Sequence, residues 1–432
     1  MKVLQINAVY EKNSTGRTTK ELHEAMQSKG IESFVACPDL ASLSENGYKI
    51  GNKLDWKLHA LLSRITGKQG YFSHIATKGL LKYIDRLQPD VIHLRNLHSN
   101  YINLPMLLSY IAEKDIATVL TLHDCWFFTG KCVYYIEFGC DRWKENCGNC
   151  PALKAGNPSM FLDRSAEMLA DKRKLFASIH RLAVVGVSQW VTDDAARSIL
   201  KDSAIIQCIY NWIDLDRFKP RDCAEYKQSM GLENKFVILG IAMGWIKAKG
   251  IQVFHELADL LPEDCQIVLV GDASAIPRKH PKINYLGTVT DVNTLAKLYA
   301  MADVFVNPTI QETFGKTTAE AMSCGTPVVA YNGTATPELV GTDGSCGYLV
   351  DENRAGLYLE KILEIQMKTK ESYSAAARQR AEQMFSKGKN IRMYLDIYET
   401  LLKNERSERK CKFSNDKING NIVTTICTTH PI

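Results

Sequence analysis

Short apolar runs alternate with amphipathic stretches along almost the whole chain, and that rhythm restricts the fold more than any other feature. The runs of the first half are Val3–Val9, Ser33–Cys37, Val91–Leu94, Thr118–Leu122, Leu182–Val187 and Ala204–Tyr210. Those of the second half are Phe236–Ala242, Gln266–Val270, Ile283–Leu286, Val304–Val306 and Val328–Tyr331. Most lack the period-two alternation of a half-exposed strand. Each is therefore expected to be buried on both faces, as in a parallel sheet covered by helices. Helices are expected between them, for instance at Thr18–Lys29, Leu104–Glu113, Asp163–Ser178 and Gln252–Leu261. Strand and helix in repeated alternation give βαβ units, so the fold class is α/β.

The two sets of runs meet near Asn211–Pro220, where Pro220 and a charged stretch suit a linker. The expected organisation is one Rossmann-like doubly wound domain over residues 1–214 and a second over 215–385. A helix over 386–404 is expected to pack back on the first domain, and the polar, aperiodic segment 405–432 is expected to be a disordered tail. Ligands of open α/β sheets bind beyond the carboxyl ends of the strands, so two such sheets facing each other make a cleft.

With 53 basic against 48 acidic residues, the net charge of +5 is too mild to argue for nucleic acid as a partner. The apolar stretch after Lys2 is short and lacks a small-residue cleavage site, so it reads as a first strand rather than a leader. No run approaches the roughly 18 apolar residues that a membrane-spanning helix needs. An odd count of 13 cysteines spread over 432 residues then reads as reduced thiols in a cytoplasmic chain.

The most informative segment is Glu312-Thr-Phe-Gly-Lys-Thr-Thr-Ala-Glu320-Ala-Met-Ser-Cys-Gly325-Thr-Pro327-Val-Val-Ala, directly after the run Val304–Val306. Glu312 falls in the loop and Glu320 about two turns into the following helix, which Gly325 ends. Gly315 lets backbone approach a ligand, and the free N–H groups of the helix start attract phosphate. Carboxylates on either side of such a pocket accept hydrogen bonds from sugar or ribose hydroxyls. An isolated glutamate pair at this spacing would be unremarkable on any βα unit; its context carries the reading.

That context resembles the retaining glycosyltransferases of the GT-B fold, family 4, of the bacterial polysaccharide-biosynthesis type. Their E-x7-E motif is matched at Glu312 and Glu320, with the surrounding FG and EAM-x-CG-x-PVVA. The resemblance covers roughly residues 1–404 and is far more specific in the second half. It implies that Glu312 holds the transferred sugar and Glu320 the donor ribose, with backbone phosphate contacts around Phe314, Gly315 and Lys316 and with Thr313 among the donor-binding residues. It implies a UDP- or GDP-sugar donor and a saccharide or lipid-linked acceptor, with no catalytic metal and no enzyme nucleophile. A leaving phosphate oxygen would take the acceptor proton while the sugar shifts on one face.

A second donor element is Gly244-Trp-Ile-Lys247-Ala-Lys249-Gly250. Lysine in a glycine-bounded loop can neutralise charge on the departing diphosphate. The family carries an arginine and a KG pair here. Lys249-Gly250 matches the pair, but Gly244 and Trp245 stand where the arginine is expected. Lys247 is the candidate replacement, without arginine's bidentate fork. Tyr285 and Leu286 match segments that flank the nucleotide base in the family, and core packing accounts for them equally well.

In the first half, Asn13-Ser-Thr-Gly16-Arg17-Thr18 reads as a glycine-bearing loop entering a helix. The resemblance implies that Gly16 closes over the diphosphate, with Arg17 as its partner. It also implies that His123, in Thr121-Leu-His123-Asp124, faces the sugar, with Asp124 orienting it. His93 and His98 are expected to line the cleft. Cys132, Cys140, Cys147 and Cys150, spaced x7, x6 and x2 in the insert 130–151, suit a structural zinc, a disulfide pair or free thiols. Trp56, Lys57, Arg64, Lys68, Tyr71 and Phe72 suit either a membrane-facing patch or a helix packed on its neighbours. A non-catalytic binder of nucleotide sugars on the same scaffold is the alternative function. Only the missing arginine supports it; the two glutamates, Lys249 and His123 argue against it.

Overall fold

The computed structural model describes residues 1–40 and 46–418, and side chains up to residue 403. The eleven apolar runs become strands, and the described residues hold thirteen strands in two wholly parallel sheets. The first sheet holds β1 (Lys2–Ile6), β2 (Glu32–Cys37), β3 (Gly47–Lys49), β4 (Val91–Leu94), β5 (Ala117–Leu122), β6 (Leu182–Gly186) and β7 (Ile205–Cys208). The second holds β8 (Phe236–Gly244), β9 (Cys265–Asp272), β10 (Ile283–Gly287), β11 (Val304–Asn307), β12 (Val328–Tyr331) and β13 (Gly347–Val350). Their orders are β3-β2-β1-β4-β5-β6-β7 and β10-β9-β8-β11-β12-β13. Both follow the 3-2-1-4-5-6 arrangement, in which the strand order reverses at the centre and opens a crevice at the strand ends.

The central strands are almost wholly inaccessible: β4, β5 and β6 are buried at every residue. This is why their sequences read as continuous apolar runs. Two strands have no counterpart among the expected runs. Strand β3 is three residues of half-exposed edge, and β13 mixes Gly347 and Tyr348 with Leu349 and Val350.

The chain passes between the halves twice. Ile213 pairs with Ser386, and its N–H donates to the carbonyl of Phe385 at 3.0 Å. The helix Glu371–Phe385 packs on the helix Lys316–Ser323 of the second half. The next helix, Lys387–Ile418, returns to the first sheet. There Tyr394 and Tyr398 join a core with Val3, Val91, Val119 and Ala183. This helix does not stop at residue 404: the segment 405–418, expected to be disordered, continues it. The charged residues of Glu405–Lys412 have good intrinsic helix propensity and contain no breaker, which lets an established helix propagate. The rest of the expected tail, 419–432, lies outside the described residues. Among the described residues, no helix is long and apolar enough to cross a membrane.

Candidate active site

A cleft of about 980 Å³, mouth included, separates the carboxyl ends of the two sheets. Its second-half wall is the loop after β11 and the start of the helix Lys316–Ser323. Gly315 caps that helix at φ 87°, a left-handed conformation suited to glycine, and no side chain caps the helix. The first N–H groups of the helix are therefore unspent, and Gly315, Lys316 and Thr317 line the cleft. From the opposite wall comes the helix Asn13–Gln27, also without a side-chain cap, with Ser14 and Thr15 on the cavity. Two helix N-termini from different halves thus meet across one space. Their partial positive charges add to that of Lys249.

Lys249 and Glu312 form the site's ion pair, Nζ to Oε1 at 3.2 Å. Lys249 ends a single 3₁₀ turn before Gly250, whose φ is 72°. A Cβ on Gly250 would meet Pro308 at 2.3 Å, so this glycine sets how closely the lysine loop approaches the glutamate loop. The Glu312 N–H donates to Thr334 Oγ1 at 2.9 Å, which fixes the other side of the pair. Glu320 lies buried behind the cavity wall rather than on it, and accepts a hydrogen bond from the Tyr299 hydroxyl at 3.0 Å. Burial raises its carboxyl pKa, against the opposing influence of Lys316, Tyr299 and Arg17.

His123 lines the cleft from the end of β5. Arg95 Nη1 lies 3.5 Å from its Nε2 and donates to Thr18 Oγ1 at 3.0 Å. A guanidinium cannot accept, so Nε2 is the acceptor, and the neutral ring carries its proton on Nδ1. Burial, then the Arg95 charge, lowers the His123 pKa to about 3, so the ring is neutral throughout the physiological range. Arg95 is fully buried, and nothing in its local sequence marks it, because an arginine just after a strand resembles any loop residue.

Several expectations change. Gly16 and Arg17 are not in a loop: the helix already begins at Asn13. Gly16 sits in its first turn under the backbone of Tyr10 and Glu11, where a Cβ would meet atoms at 3.1–3.2 Å. It is a packing glycine, and Ser14 and Thr15 reach the cavity in its place. Arg17 lies off the cavity wall, although its charge reaches Glu320. Lys247 is exposed and off the cavity. Trp245 turns into the core, where its Nε1 donates to the Val270 carbonyl at 3.2 Å. Among the described residues, Lys249 is the cation that this loop brings to the cavity. Tyr285 and Leu286 stand on edge strand β10 away from the cavity. Tyr285 OH accepts from the His280 N–H at 3.1 Å, and Leu286 packs against the main core.

Asp124 does not orient His123. It bonds His98 Nε2 at 2.8 Å, Asn96 Nδ2 at 3.1 Å and the Trp126 N–H at 2.9 Å. Burial works against charging His98, but the Asp124 carboxylate outweighs it and raises the ring's pKa. His98 is off the cavity wall, and so is His93. It is fully buried between Tyr398 OH and Thr121 Oγ1, each at 2.7 Å, and so anchors the returning helix to the sheet.

The cysteine-rich insert has a role its spacing did not disclose. It brings Tyr134 into the cleft against Glu312 and Thr313. Burial, then the Glu312 charge, pushes the Tyr134 phenol up, so it stays a neutral donor. The Glu137 N–H also reaches Gln311 Oε1 at 3.4 Å, which joins the insert to the second half. Cys132, Cys140, Cys147 and Cys150 are all free thiols and line one small cavity beside Lys131 and Trp143. Among the described residues, no three histidine, cysteine, aspartate or glutamate side chains are grouped closely enough to hold a metal ion.

Family models match both halves: Glycosyltransferase Family 4 over residues 15–217 and Glycosyl transferases group 1 over residues 233–367. A similar chain is WcaC of Escherichia coli, whose name reads "Putative colanic acid biosynthesis glycosyl transferase". It is 25% identical over 329 residues, which cover 72% of this chain and 77% of that one. A GDP-mannose-dependent phosphatidylinositol dimannoside mannosyltransferase of Mycobacterium tuberculosis is 27% identical over 179 residues, covering 39% of this chain and 46% of that one. Among solved structures, sucrose-phosphate synthase of Thermosynechococcus elongatus aligns with a TM-score of 0.67 at 15% identity, over 93% of this chain and 99% of that one. Anabaena Alr3699/HepE, solved with UDP and glucose, aligns with a TM-score of 0.62 at 16% identity, over 92% and 98%. Matched through both sheets and across the cleft between them, this chain belongs to the family 4 glycosyltransferases of the GT-B fold and is an enzyme of that class.

Proposed function

We propose that the cleft binds a UDP- or GDP-hexose and transfers the hexose, with retention of its anomeric configuration, to a hydroxyl of a saccharide acceptor in surface polysaccharide synthesis. The observation that carries this reading is the Lys249–Glu312 pair at the rim of a cavity onto which two uncapped helix N-termini open. The diphosphate lies against the amides of Gly315–Thr317 and the ammonium of Lys249. Glu312 accepts hydrogen bonds from the transferred hexose, and Glu320 from the ribose. His123 offers its Nδ1 proton to a sugar hydroxyl. As the glycosidic bond to phosphate breaks, negative charge collects on the diphosphate, and the fixed dipoles meet it without reorganising. A phosphate oxygen accepts the acceptor's proton on the same face, so positioning supplies most of the acceleration.

The named activities of the relatives support this choice of substrate class: a colanic acid transferase, a GDP-mannose-dependent enzyme and a structure holding UDP and glucose. The thiol-rich, disulfide-free described chain suits the reducing cytoplasm. The reading calls on no catalytic metal. We assign the four insert cysteines to a structural zinc, around which the thiols would have to draw together from their present arrangement. Incubating purified protein with a panel of UDP- and GDP-hexoses and measuring released nucleotide tests the donor. A single productive donor with an anomerically retained product is expected, whereas no release from any of them would end the proposal.

A further inference from the structure

The helix Lys53–Thr66 is turned the wrong way round for a globular protein. Leu54, Leu58, Leu61 and Ile65 recur at intervals of four, three and four, which places them on one stripe of the helix. Such a stripe ordinarily faces the core. Here it faces solvent, at 76%, 53%, 50% and 42% exposure. The inward face is polar. His59 is buried with Nδ1 2.8 Å from Ser73 Oγ, its Nε2 accepts the Gly70 N–H at 3.3 Å, and Ser63 is buried beside it. These bonds fix the orientation of the helix and leave its apolar stripe outside.

A second exposed apolar segment adjoins the end of this helix. Met160, Phe161 and Leu162 are exposed, Phe161 by 77%. The Met160 N–H donates to the Arg64 carbonyl at 2.7 Å. The Leu162 carbonyl lies so close over Gly67 that a Cβ there would meet it at 2.2 Å. Along one flank of the stripe run Lys53, Lys57 and Arg64, all exposed and without an ion-pair partner among the described residues. Contiguous apolar surface on a monomer marks an interaction site. A leucine stripe with a parallel row of cations is the arrangement of a helix lying in the interface of an anionic bilayer.

We infer that this face, the stripe Leu54–Ile65 with the loop Met160–Leu162 and the basic row beside it, docks the enzyme on a membrane surface rich in anionic lipid. The basic row selects this occupant over a second copy of the chain, because two copies joined through the stripe would bring their cations together. The helix that carries the face is also tied to the first half's side of the cleft. Trp56 Nε1 donates to the Ser99 carbonyl, and the neighbouring His98 bonds Asp124, which follows His123. The inference does not depend on which sugar is transferred.

The test is flotation of the full-length chain with vesicles of phosphatidylcholine alone and of phosphatidylcholine containing phosphatidylglycerol. Binding to the anionic vesicles only, weakened by salt, is expected. Leu58→Glu/Leu61→Glu should weaken it at least tenfold, and Lys57→Glu/Arg64→Glu severalfold, with unchanged thermal unfolding because all four side chains are exposed. Phe161→Glu, on the loop, gives an independent variant should the helix variant fail to fold, and it too should weaken flotation. Absence of flotation, or flotation that none of these substitutions alters, would overturn the inference. So would a dimer in sedimentation that Leu58→Glu/Leu61→Glu dissociates while wild type ignores vesicles; that result would give the face to a second copy.

Discussion

Replacing Lys249 with methionine keeps the length of the side chain and removes its charge, and the geometry sets the size of the effect. The ammonium sits 3.2 Å from Glu312 Oε1 and at the edge of the space assigned to the diphosphate. Two unit charges about 4 Å apart attract by about 4 kcal/mol at an effective dielectric constant of ~20. The side chain is 37% exposed, so solvent screening removes a large share of this. About 2 kcal/mol remains, which corresponds to roughly thirtyfold in rate. The loss should fall on kcat more than on KM, because the charge facing the lysine grows as the donor bond breaks. The assay is nucleotide release at saturating donor. Lys247→Met is the control: it removes an equal charge two residues away, outside the cavity, and should change kcat by less than about twofold. If Lys249→Met turned over within threefold of wild type, or if Lys247→Met matched its loss, the reasoning about diphosphate charge would be wrong.

Four further outcomes are expected. Glu320→Ala removes an acceptor assigned to the ribose, and a charged hydrogen bond of about 1.5–3 kcal/mol should appear mainly as a higher donor KM in steady-state kinetics. Tyr134→Phe should lower kcat/KM by about tenfold with little change in thermal unfolding, because the phenol meets Glu312 across the cleft rather than a core partner. His93 is held neutral well below its usual pKa by burial. The unfolded chain therefore takes up a proton the folded one refuses, and the stability this group contributes above pH ~6.5 is lost as pH falls. In denaturant titrations His93→Gln should flatten that acid slope by up to about 1.4 kcal/mol per pH unit. Elemental analysis should find about one zinc per chain; Cys147→Ser/Cys150→Ser should lose it and unfold at lower temperature, whereas a zinc-free, fully folded protein would end the assignment.

The strands were legible because parallel strands buried on both faces leave a continuous apolar trace. β3 and β13 were not: β3 is three half-exposed residues and β13 opens on glycine and a half-exposed tyrosine, so neither leaves such a trace, whereas the edge strands β7 and β10 carry enough apolar residues to do so. Glu312, Lys249 and His123 come together as their motif contexts suggest, each on a loop or helix start that follows a strand. What the sequence hid were side chains whose roles depend on distant partners. Arg95 acquires meaning only when Thr18 and His123 close around it. Tyr134 sits among cysteines that dominate the local pattern, yet its partners lie in the other half. Asp124 is adjacent to His123 in sequence but turns to His98, because successive residues after a strand point to different sides. The helix Lys53–Thr66 shows the converse: its periodicity is plain, but which face turns inward was settled by His59, Ser63 and Ser73.

The central claim is that an activated sugar sits between Lys249–Glu312 and His123, with its diphosphate on the start of the helix Lys316–Ser323. A crystal structure with a non-transferable UDP- or GDP-sugar analogue measures this directly. The account expects phosphate oxygens within hydrogen-bond distance of the Gly315–Thr317 amides and Lys249 Nζ, and a hexose hydroxyl on Glu312. Density for the ligand anywhere else, or a diphosphate turned away from that helix, would contradict it.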